Sequence, residues 1–321
     1  MASEFELIER HFAHLAPSGA GVIRGIGDDC AIVAPPNGME LAVSIDTLVA
    51  SVHFPESTTA FDIGWKSLAC GLSDLAAAGA EPAWALLALT LPSPQEDWLA
   101  GFAEGFAALA STHGVALAGG DTTHGPMSVT VQVAGHVPAG AALGRDGARP
   151  GDAIFVTGWP GEAAAGLARV QSGRADPRDP LVAHLNRPRP RVGLGQALRG
   201  YASACIDVSD GLVADVGHIA ERSGIAAVLE PARLPCSEAL GAADDAEQVT
   251  AWTLGGGDDY ELCFCADPAW ADALLALGTA ETPVTRIGEI AAGEGVWVRG
   301  ADGRTAPAAA SGHLHFAPEQ R

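Results

Sequence analysis

The segment TAFDIGWKSLACGLSDLAAAGAEPAWALLALTL, residues 59–91, decides the fold class. Residues 59–78 carry apolar side chains at the spacing of one helix face, and residues 83–91 form a short apolar run that is typical of a buried strand. A helix that leads almost directly into a buried strand predicts a protein of the α/β or α+β class.

The same alternation of strands and helices continues through both halves of the chain. Strands are predicted at residues 41–45, 115–118, 128–136, 153–157, 204–206, 261–265 and 296–298, and helices at 96–113, 161–172 and 212–222. The Pro- and Arg-rich residues 172–191 are predicted to form a loop. The Gly-, Pro- and Arg-rich segment 140–152 predicts the boundary between two domains, residues 1–140 and 141–321.

Charge and composition argue against several classes of partner. The 321 residues carry a formal net charge of −21, which disfavours nucleic acid and anionic membrane surfaces as partners. The longest apolar run, residues 83–91, is far shorter than the ~20 residues of a membrane-spanning helix. Glu4, Glu6 and Glu9 stand where a secretory signal would be basic, and the six cysteines form no CxxC pair. We expect a cytoplasmic protein with reduced thiols.

Several common catalytic motifs are missing from the sequence. A phosphate-binding P-loop needs Gly-Lys-Ser or Gly-Lys-Thr, but the sole lysine, Lys66, follows Trp65. The sequence also has no GxGxxG after a strand, no HExxH and no GxSxG. Nucleotide-binding and hydrolase mechanisms that depend on those motifs are therefore excluded.

Aspartates recur where predicted strands meet loops or helices. They are Asp28, Asp29, Asp46, Asp74, Asp121, Asp207, Asp210, Asp258 and Asp259. Any one of them is ordinary in a turn, but the whole set favours a shared metal site, because gathered carboxylates repel one another unless a cation lies between them. Ligands that are all oxygen favour Mg²⁺ or Ca²⁺ over Zn²⁺, and so many of them suggest more than one Mg²⁺ with a polyphosphate ligand.

Other residues allow both a functional and a structural interpretation. Gly119 and Gly120 would let backbone N–H groups approach a phosphate closely. Ser209 either contacts a ligand or caps the following helix. Arg145 either holds phosphate oxygens, as would Arg149, or belongs to a solvated loop. Taken alone, His53 favours a purely structural role over contact with a ligand.

The ordered motifs of the chain resemble those of the thiamine-monophosphate kinase family. They are GIGDDCAIV, SIDTLVASVHF, KSLACGLSDLAAAGAEP, GGDTTHGP, GRDGARPGD, VTGWPGEAAAGL, CIDVSDGLVADVGHI, GGGDDYELCF and the terminal GHLHF. Each motif alone is weakly specific, but the ordered set covers nearly the whole chain. The wider superfamily includes aminoimidazole-ribonucleotide synthetase and selenophosphate synthetase.

The resemblance implies a fold, a reaction and an assembly. The fold would be the two-domain aminoimidazole-ribonucleotide-synthetase type, with residues 1–140 binding ATP and Mg²⁺ and forming a homodimer through their sheets, and residues 141–321 forming a C-terminal α/β domain. ATP and several Mg²⁺ ions would lie in the cleft. The reaction would pass the γ-phosphoryl group of ATP to thiamine monophosphate, giving thiamine diphosphate and ADP.

The resemblance also implies roles for individual residues, motif by motif. The expected Mg²⁺ ligands are Asp29, Ser44, Ile45, Asp46, Asp74, Asp121, Asp207 and Asp210. The expected ATP contacts are Gly120, Asp121, Arg145 and Ser209, and the expected substrate contacts are His53, Asp258 and Phe316. Asp121, Asp210 and Arg145 are expected to act on the transferring group. Ile45 offers only its backbone to a metal, and Asp258 stands where family members commonly have a glutamate.

Because the acceptor is a phosphate monoester with a second pKa of about 6, it is already ionised at neutral pH and needs no strong base. We therefore expect direct in-line transfer without a phosphorylated enzyme residue. Two alternatives remain open: another ATP-using synthetase of the superfamily that releases phosphate, and a non-catalytic nucleotide- or divalent-ion-binding protein.

Overall fold

The structure, a computed structural model, describes residues 4–15, 21–26, 30–174, 176 and 178–309. The chain divides into two compact units, Met1–Ala142 and Leu143–Arg321. Each unit combines a mixed sheet with helices, which confirms the predicted class. In the described part of the chain, no helix has both the length and the apolar character needed to cross a bilayer.

The N-terminal unit is built on a four-stranded sheet of order β3-β6-β4-β5 and a separate hairpin of β1 and β2. Its strands are β1 Val22–Arg24, β2 Ile32–Val33, β3 Met39–Val49, β4 Glu81–Leu91, β5 Ala116–His124 and β6 Ser128–Pro138. Its α-helices are α1 Glu4–His11, α2 Ala60–Ala77 and α3 Glu96–His113. The predictions of α2, α3, β4 and β6 are confirmed, and β3 and β5 run further than predicted.

Helix α2 begins where the sequence predicts because Thr59 caps it. The Thr59 hydroxyl oxygen accepts from the Asp62 N–H at 3.2 Å and donates to the Asp62 carboxylate at 2.8 Å. This reciprocal arrangement satisfies an amide that the first turn leaves without a helical partner. Most of α2 is then buried, including Leu68 and Leu72, which are fully buried.

Helices α2 and α3 approach so closely that glycine is required at their crossing. A Cβ atom on Gly64 would lie 2.1 Å from the Phe102 carbonyl oxygen, and one on Gly105 would lie 1.9 Å from the Phe61 carbonyl oxygen. Both contacts are with backbone, which cannot move aside as a flexible side chain can. The pair of glycines therefore sets the distance between α2, which packs on the sheet, and α3.

The other face of the edge strand β3 exposes large apolar side chains. Leu41, Val43 and Ile45 are 44%, 56% and 66% exposed, while the alternate residues are less exposed. This follows from the period of two along a strand, which directs neighbouring side chains to opposite faces. The sheet thus has a helix-covered face and, along β3, an uncovered apolar face.

The C-terminal unit is built on a seven-stranded sheet of order β13-β12-β9-β11-β7-β10-β8. Its strands are β7 Ala153–Thr157, β8 Ala202–Val208, β9 Ala226–Leu229, β10 Glu261–Ala266, β11 Val284–Ala291, β12 Gly295–Arg299 and β13 Thr305–Pro307. Its α-helices are α4 Glu162–Gln171, α5 Pro180–Asn186, α6 Val192–Ala197, α7 Leu212–Ser223, α8 Glu238–Gly241, α9 Ala246–Gly255 and α10 Ala271–Leu275. Strand β7 lies in the interior of the sheet and is buried along its whole length.

The predicted loop at residues 172–191 is wrong in its middle part, because helix α5 lies there. Asp179 caps this helix by accepting from the Leu181 N–H at 3.0 Å, and Pro180 occupies its first turn. Buried Leu181 and Leu185 anchor it to the core. The density of Pro and Arg around the helix hid these signals.

All six cysteines lie in described residues and are free, and four of them are buried: Cys70, Cys205, Cys263 and Cys265. Burial raises the pKa of the Cys265 thiol and favours its neutral form.

Candidate active site

In the N-terminal unit, three polar side chains meet between the sheet and helix α2. Ser44 and Asp46 alternate along β3 and face the helix, where Asp74 lies in the last turn of α2. The Ser44 hydroxyl donates a short hydrogen bond to Asp74 Oδ2. Asp46 Oδ2 is buried and has no hydrogen-bond partner among the described residues. Within the described residues, the two carboxylates are therefore not fully satisfied by hydrogen bonds.

The pKa of Asp46 also indicates that the two neighbouring carboxylates lack a compensating positive charge. Burial, and after it the charge of Asp74 and a hydrogen bond with it, raise the pKa of Asp46 from 3.8 to about 7. Two carboxylates in a partly buried place resist ionising together, and a divalent cation between them would remove the conflict. The donors are all oxygen, and one buried oxygen has no partner, so these residues fit Mg²⁺ well.

Asp46 and Asp121 do not end their strands, contrary to the sequence prediction. Strand β3 continues past Asp46 to Val49, and β5 continues through Gly119 and Gly120 to His124. The strands run on because Asp46 pairs with Val131 and Asp121 pairs with Ala88. Likewise, Asp74 lies inside a helix and Asp207 inside β8.

Asp121 is also distant from Asp46 within one chain. The two residues lie on β5 and β3, the opposite edges of the four-stranded sheet. Three strand spacings separate them, or about 14 Å. Two carboxylates this far apart cannot bind one Mg²⁺ ion, so a single N-terminal unit gathers Ser44, Asp46 and Asp74 but not Asp121.

Gly120 lines a cavity of about 1240 Å³ on the other side of the sheet. Residues of α1, β2, β4 and β5 line it, among them Trp84, Leu86 and Leu117. Gly120 has no space for a side chain, because a Cβ atom would lie 1.9 Å from the Leu87 carbonyl oxygen. Glycine is therefore required where β5 pairs with β4 at this position.

Three expected site residues of the N-terminal unit receive different outcomes. The Ile45 side chain lies on the uncovered face, so only its backbone is available near Asp46. His53 Nδ1 accepts from the Val49 N–H at 2.9 Å, and the His53 carbonyl oxygen accepts from Lys66 Nζ at 3.4 Å. Lys66 itself is only 2% exposed. Asp29 lies outside the described residues, as does Phe316 of the C-terminal unit.

In the C-terminal unit, the turn between β8 and α7 carries the other expected ligands. Asp207 is buried in β8, and Ser209 and Asp210 follow it at half-buried positions. Ser209 does not cap helix α7: the N-cap residue is Gly211, which makes no side-chain bond. The cap is supplied by Asp215, whose Oδ2 accepts from the N–H groups of Ser209, Asp210 and Gly211 at 3.1, 3.1 and 3.0 Å.

Asp215 is not among the predicted site residues, although an acidic residue in the first turn of a predicted helix is a usable signal. Its ligand atoms, with those of Asp210 and His218, all lie within 4.8 Å of one another. Burial and the nearby Asp210 raise the pKa of Asp215 to about 7, opposed by its three backbone hydrogen bonds.

Asp258 lies beside the same turn. Its backbone N–H donates to the Ser209 carbonyl oxygen at 2.8 Å, and its carboxylate accepts from the Tyr260 hydroxyl at 3.0 Å. Its φ of 68° is in the left-handed region, which a short polar residue tolerates better than most. The contact links the expected substrate residue to an expected ATP contact.

A buried polar network supports the segment that carries Asp258. Glu261 is fully buried and accepts from Arg191 through both carboxylate oxygens and from the Thr157 hydroxyl at 2.5 Å. Asp259 caps α4 by accepting from the N–H groups of Gly161 and Ala163 at 2.7 and 3.1 Å. The sequence analysis read Asp259 as one more turn aspartate, and it missed the Arg191–Glu261 pair because nothing local predicts a partner 70 residues away.

Arg145 lies in an exposed position before β7. Its carbonyl oxygen accepts from the Ser223 hydroxyl at 3.0 Å, which fixes its backbone against the end of α7. The Arg149 N–H donates to Asp152 Oδ2 at 3.0 Å. The Arg145 guanidinium is thus presented on the surface of the unit.

Family models match both units of the chain. Residues 27–142 match the family model described as AIR synthase related protein, N-terminal domain, and residues 149–300 match the corresponding C-terminal domain. Thiamine-monophosphate kinase of Salmonella typhimurium is 47% identical over an alignment of 322 positions, which covers 98% of this chain and 98% of that one.

Two solved structures are similar along nearly the whole chain. A crystal structure of thiamine-monophosphate kinase from Stenotrophomonas maltophilia K279a is 49% identical, with a TM-score of 0.87, and the match covers 95% of this chain and 98% of that one. A structure described as AaThiL complexed with AMPPCP and TMP is 31% identical, with a TM-score of 0.78 and coverage of 98% and 97%.

Proposed function

The chain belongs to the thiamine-monophosphate kinase family, among the AIR synthase related proteins, and on that premise we propose that it transfers the γ-phosphoryl group of ATP to thiamine monophosphate. The products are thiamine diphosphate and ADP. The observation that carries the proposal is the 47% identity to a thiamine-monophosphate kinase over 98% of both chains. A relative complexed with AMPPCP, an analogue of ATP, and with TMP supports the same pair of substrates.

The acidic residues of both units are proposed to hold Mg²⁺. In the N-terminal unit these are Asp29, Ser44, the Ile45 backbone, Asp46, Asp74 and Asp121, and in the C-terminal unit Asp207 and Asp210. The partnerless Asp46 Oδ2 supports this assignment. Bound Mg²⁺ supplies charge neutralisation between two anionic phosphates that otherwise repel each other.

The remaining residues are proposed to bind and orient the two substrates. Gly120 and Ser209 would contact ATP through small groups that permit close approach, and Arg145 would donate charge-assisted hydrogen bonds to the transferring group. Asp121 and Asp210 would act on the transferring phosphoryl group through the Mg²⁺ ions that they hold. His53, Asp258 and Phe316 would contact thiamine monophosphate. Because the acceptor oxygen is already ionised, transfer is direct and in line, without a phosphorylated residue.

We further propose that residues 1–140 form the domain that binds ATP and Mg²⁺ and mediates dimerisation, and that residues 141–321 form the second α/β domain. The enzyme is proposed to work in the cytoplasm as a homodimer. The exposed Leu41, Val43 and Ile45 on edge strand β3 support pairing through the sheets. Pairing that sets β5 of one protomer beside β3 of the other would bring Asp121 to the second protomer's Asp46. That arrangement would remove the ~14 Å separation found within one chain.

A product assay tests the proposed reaction. The protein is incubated with ATP, Mg²⁺ and thiamine monophosphate, and the expected result is equal amounts of thiamine diphosphate and ADP. Release of free phosphate instead would favour a synthetase, and a stable nucleotide complex without turnover would favour a binding protein. Asp74→Asn should abolish turnover, whereas the exposed Asp272→Asn on α10 should not alter it. Radiolabel retained on denatured protein after incubation with γ-labelled ATP would contradict direct transfer.

A further inference from the structure

The turn between β8 and α7 is held by a single carboxylate oxygen. Three consecutive backbone N–H groups, those of Ser209, Asp210 and Gly211, converge on Asp215 Oδ2 at 3.0–3.1 Å. Asp215 is 2% exposed, so little water can replace it. A carboxylate is the fitting acceptor here because it can take several N–H donors at once and complements the positive end of α7.

The opposite side of the turn is held by backbone groups from the segment before β10. The N–H of Tyr260 donates to the Val208 carbonyl oxygen at 2.8 Å, and the N–H of Asp258 donates to that of Ser209, also at 2.8 Å. Gly211 has a φ of 123°, and a Cβ atom there would lie 2.8 Å from the Gly255 carbonyl oxygen. These contacts hold the turn in its observed conformation, and among the contacts named here the Asp215 carboxylate is the one contributed by a side chain.

The two residues presented by this turn are the proposed ATP contact Ser209 and the proposed Mg²⁺ ligand Asp210. We propose that Asp215 is a positioning residue for phosphoryl transfer, which fixes the backbone of residues 209–211 so that Ser209 and Asp210 face the magnesium–nucleotide complex. The inference rests on the proposed function for the identity of that ligand. The positioning role uses Oδ2, which accepts from three N–H donors. Oδ1 takes no part in these bonds and is the atom through which Asp215 would join Asp210 and His218 around an ion, so the variants below are chosen to separate the two roles.

Two substitutions separate positioning from a general effect on folding. Asp215→Ala removes the acceptor and leaves three amides without it, whereas Asp215→Asn keeps one oxygen that can accept the same hydrogen bonds. Asp245→Ala is the matched control, because Asp245 also caps a helix in this unit, accepting from the Glu247 and Gln248 N–H groups at 3.0 Å. That control touches none of the proposed ligands.

The first readout is amide hydrogen exchange in the nucleotide-free protein, which needs no catalysis. The amides of residues 209–211 should exchange at least about tenfold faster in Asp215→Ala than in the wild type, with a smaller change in Asp215→Asn. Asp245→Ala should leave them unchanged. Equal protection of these amides in wild type and Asp215→Ala would overturn the inference.

The second readout is calorimetric binding of AMPPCP with Mg²⁺. Affinity should fall about tenfold or more in Asp215→Ala, fall less in Asp215→Asn, and stay within about twofold in Asp245→Ala. If the wild type bound no magnesium–AMPPCP, the proposed function itself would fail, and the inference with it. If the wild type bound and Asp215→Ala bound equally well, only the positioning role would be wrong. Equal losses in the Ala and Asn variants would point to direct metal binding and overturn it as well.

Discussion

The backbone N–H of Asp258 donates to the carbonyl oxygen of Ser209 at 2.8 Å, so the proposed substrate residue and a proposed ATP contact share a hydrogen bond. The Asp258 side chain is separate from this bond and accepts from the Tyr260 hydroxyl. Substituting the side chain should therefore affect one substrate without disturbing the turn that contacts the other.

Asp258→Asn tests that separation. Asparagine tolerates the left-handed φ of 68°, so the backbone and its bond to Ser209 should persist. We expect KM for thiamine monophosphate to rise about tenfold, as for a lost charged contact, and KM for ATP to change less than about threefold. Steady-state kinetics with each substrate varied in turn would measure both. Parallel rises in the two KM values would contradict the assignment of Asp258 to the acceptor.

Asp46→Asn tests the strain between the two carboxylates. The pKa of Asp46 lies above its ordinary value, so the folded protein binds more protons than the unfolded chain between about pH 4 and 7. Stability of the metal-free protein should therefore fall as pH rises through this range, by up to about 4 kcal/mol for a change from 3.8 to about 7. In Asp46→Asn that part of the loss should disappear. Thermal unfolding in a chelator at pH 5 and pH 8 compares the two proteins.

Without metal at pH 8, Asp46→Asn should be more stable than the wild type, and Mg²⁺ should reverse that order. Added Mg²⁺ should raise the Tm of the wild type at pH 8, because an ion that binds only the folded state stabilises it by mass action. Asp46→Asn should gain much less. A wild type whose Tm ignores Mg²⁺ in both the presence and the absence of nucleotide would count against the metal assignment.

Mixed dimers test whether Asp121 serves the other protomer. Asp46→Asn and Asp121→Asn should each be inactive alone. The two variants are mixed, unfolded together and refolded, so that half of the dimers contain one protomer of each variant. If each site takes Asp46 from one protomer and Asp121 from the other, every such dimer has one site with both wild-type carboxylates. Activity should then return to about a quarter of that of the wild type. Persistent inactivity of the mixture, with dimer exchange verified by mass, would place both residues in one chain's site.

The Arg191–Glu261 pair should contribute far more to the free energy of unfolding than an exposed ion pair does. Glu261→Gln leaves the largely buried Arg191 guanidinium without a counter-charge, and we expect a loss of about 3–5 kcal/mol in the free energy of unfolding. The control is Asp302→Asn, whose partner Arg304 lies at 3.7 Å and is 90% exposed. That change should cost less than about 1 kcal/mol. Urea unfolding followed by circular dichroism would report both values.

The crossing of α2 and α3 gives a second matched pair. Gly105→Ala would place a Cβ atom 1.9 Å from the Phe61 carbonyl oxygen, so the helices must separate. We expect a loss of about 2–4 kcal/mol, comparable with severe overpacking of a core. Gly101→Ala lies one turn away, with its nearest atom at 3.4 Å, and should be neutral or stabilising by up to about 1 kcal/mol. Similar losses in both variants would show that helix separation is not the cause.

Local patterns were sufficient to predict most elements, because α2, α3 and β4 carry apolar spacings that tertiary contacts reinforce. In addition, Thr59 marks the start of α2 and Gly114 the end of α3. Helix α5 was missed because its cap at Asp179 and its apolar residues lie among prolines and arginines. Asp46 and Asp121 were assigned to strand ends because aspartate is rare inside strands. The register with β6 and β4 holds them there, and register depends on distant residues.

The sequence also predicted that acidic residues gather at one site, but not that Asp121 lies apart from the others within one chain. Ser44, Asp46 and Asp74 meet as the family motifs imply, whereas Asp121 lies on the far edge of the sheet. Asp215 lies within the motif CIDVSDGLVADVGHI, but its contacts with the backbone of residues 209–211 follow from how the turn folds back on helix α7.

The burial of Lys66 gives the molecule a practical property. It is the sole lysine of the sequence, and its amine is packed beneath the segment that carries His53. Reagents that acylate lysine amines will therefore spare this side chain in the native protein and modify it once the N-terminal unit opens. The rate at which Lys66 is acylated, followed by mass spectrometry, would therefore report how often the N-terminal unit opens locally.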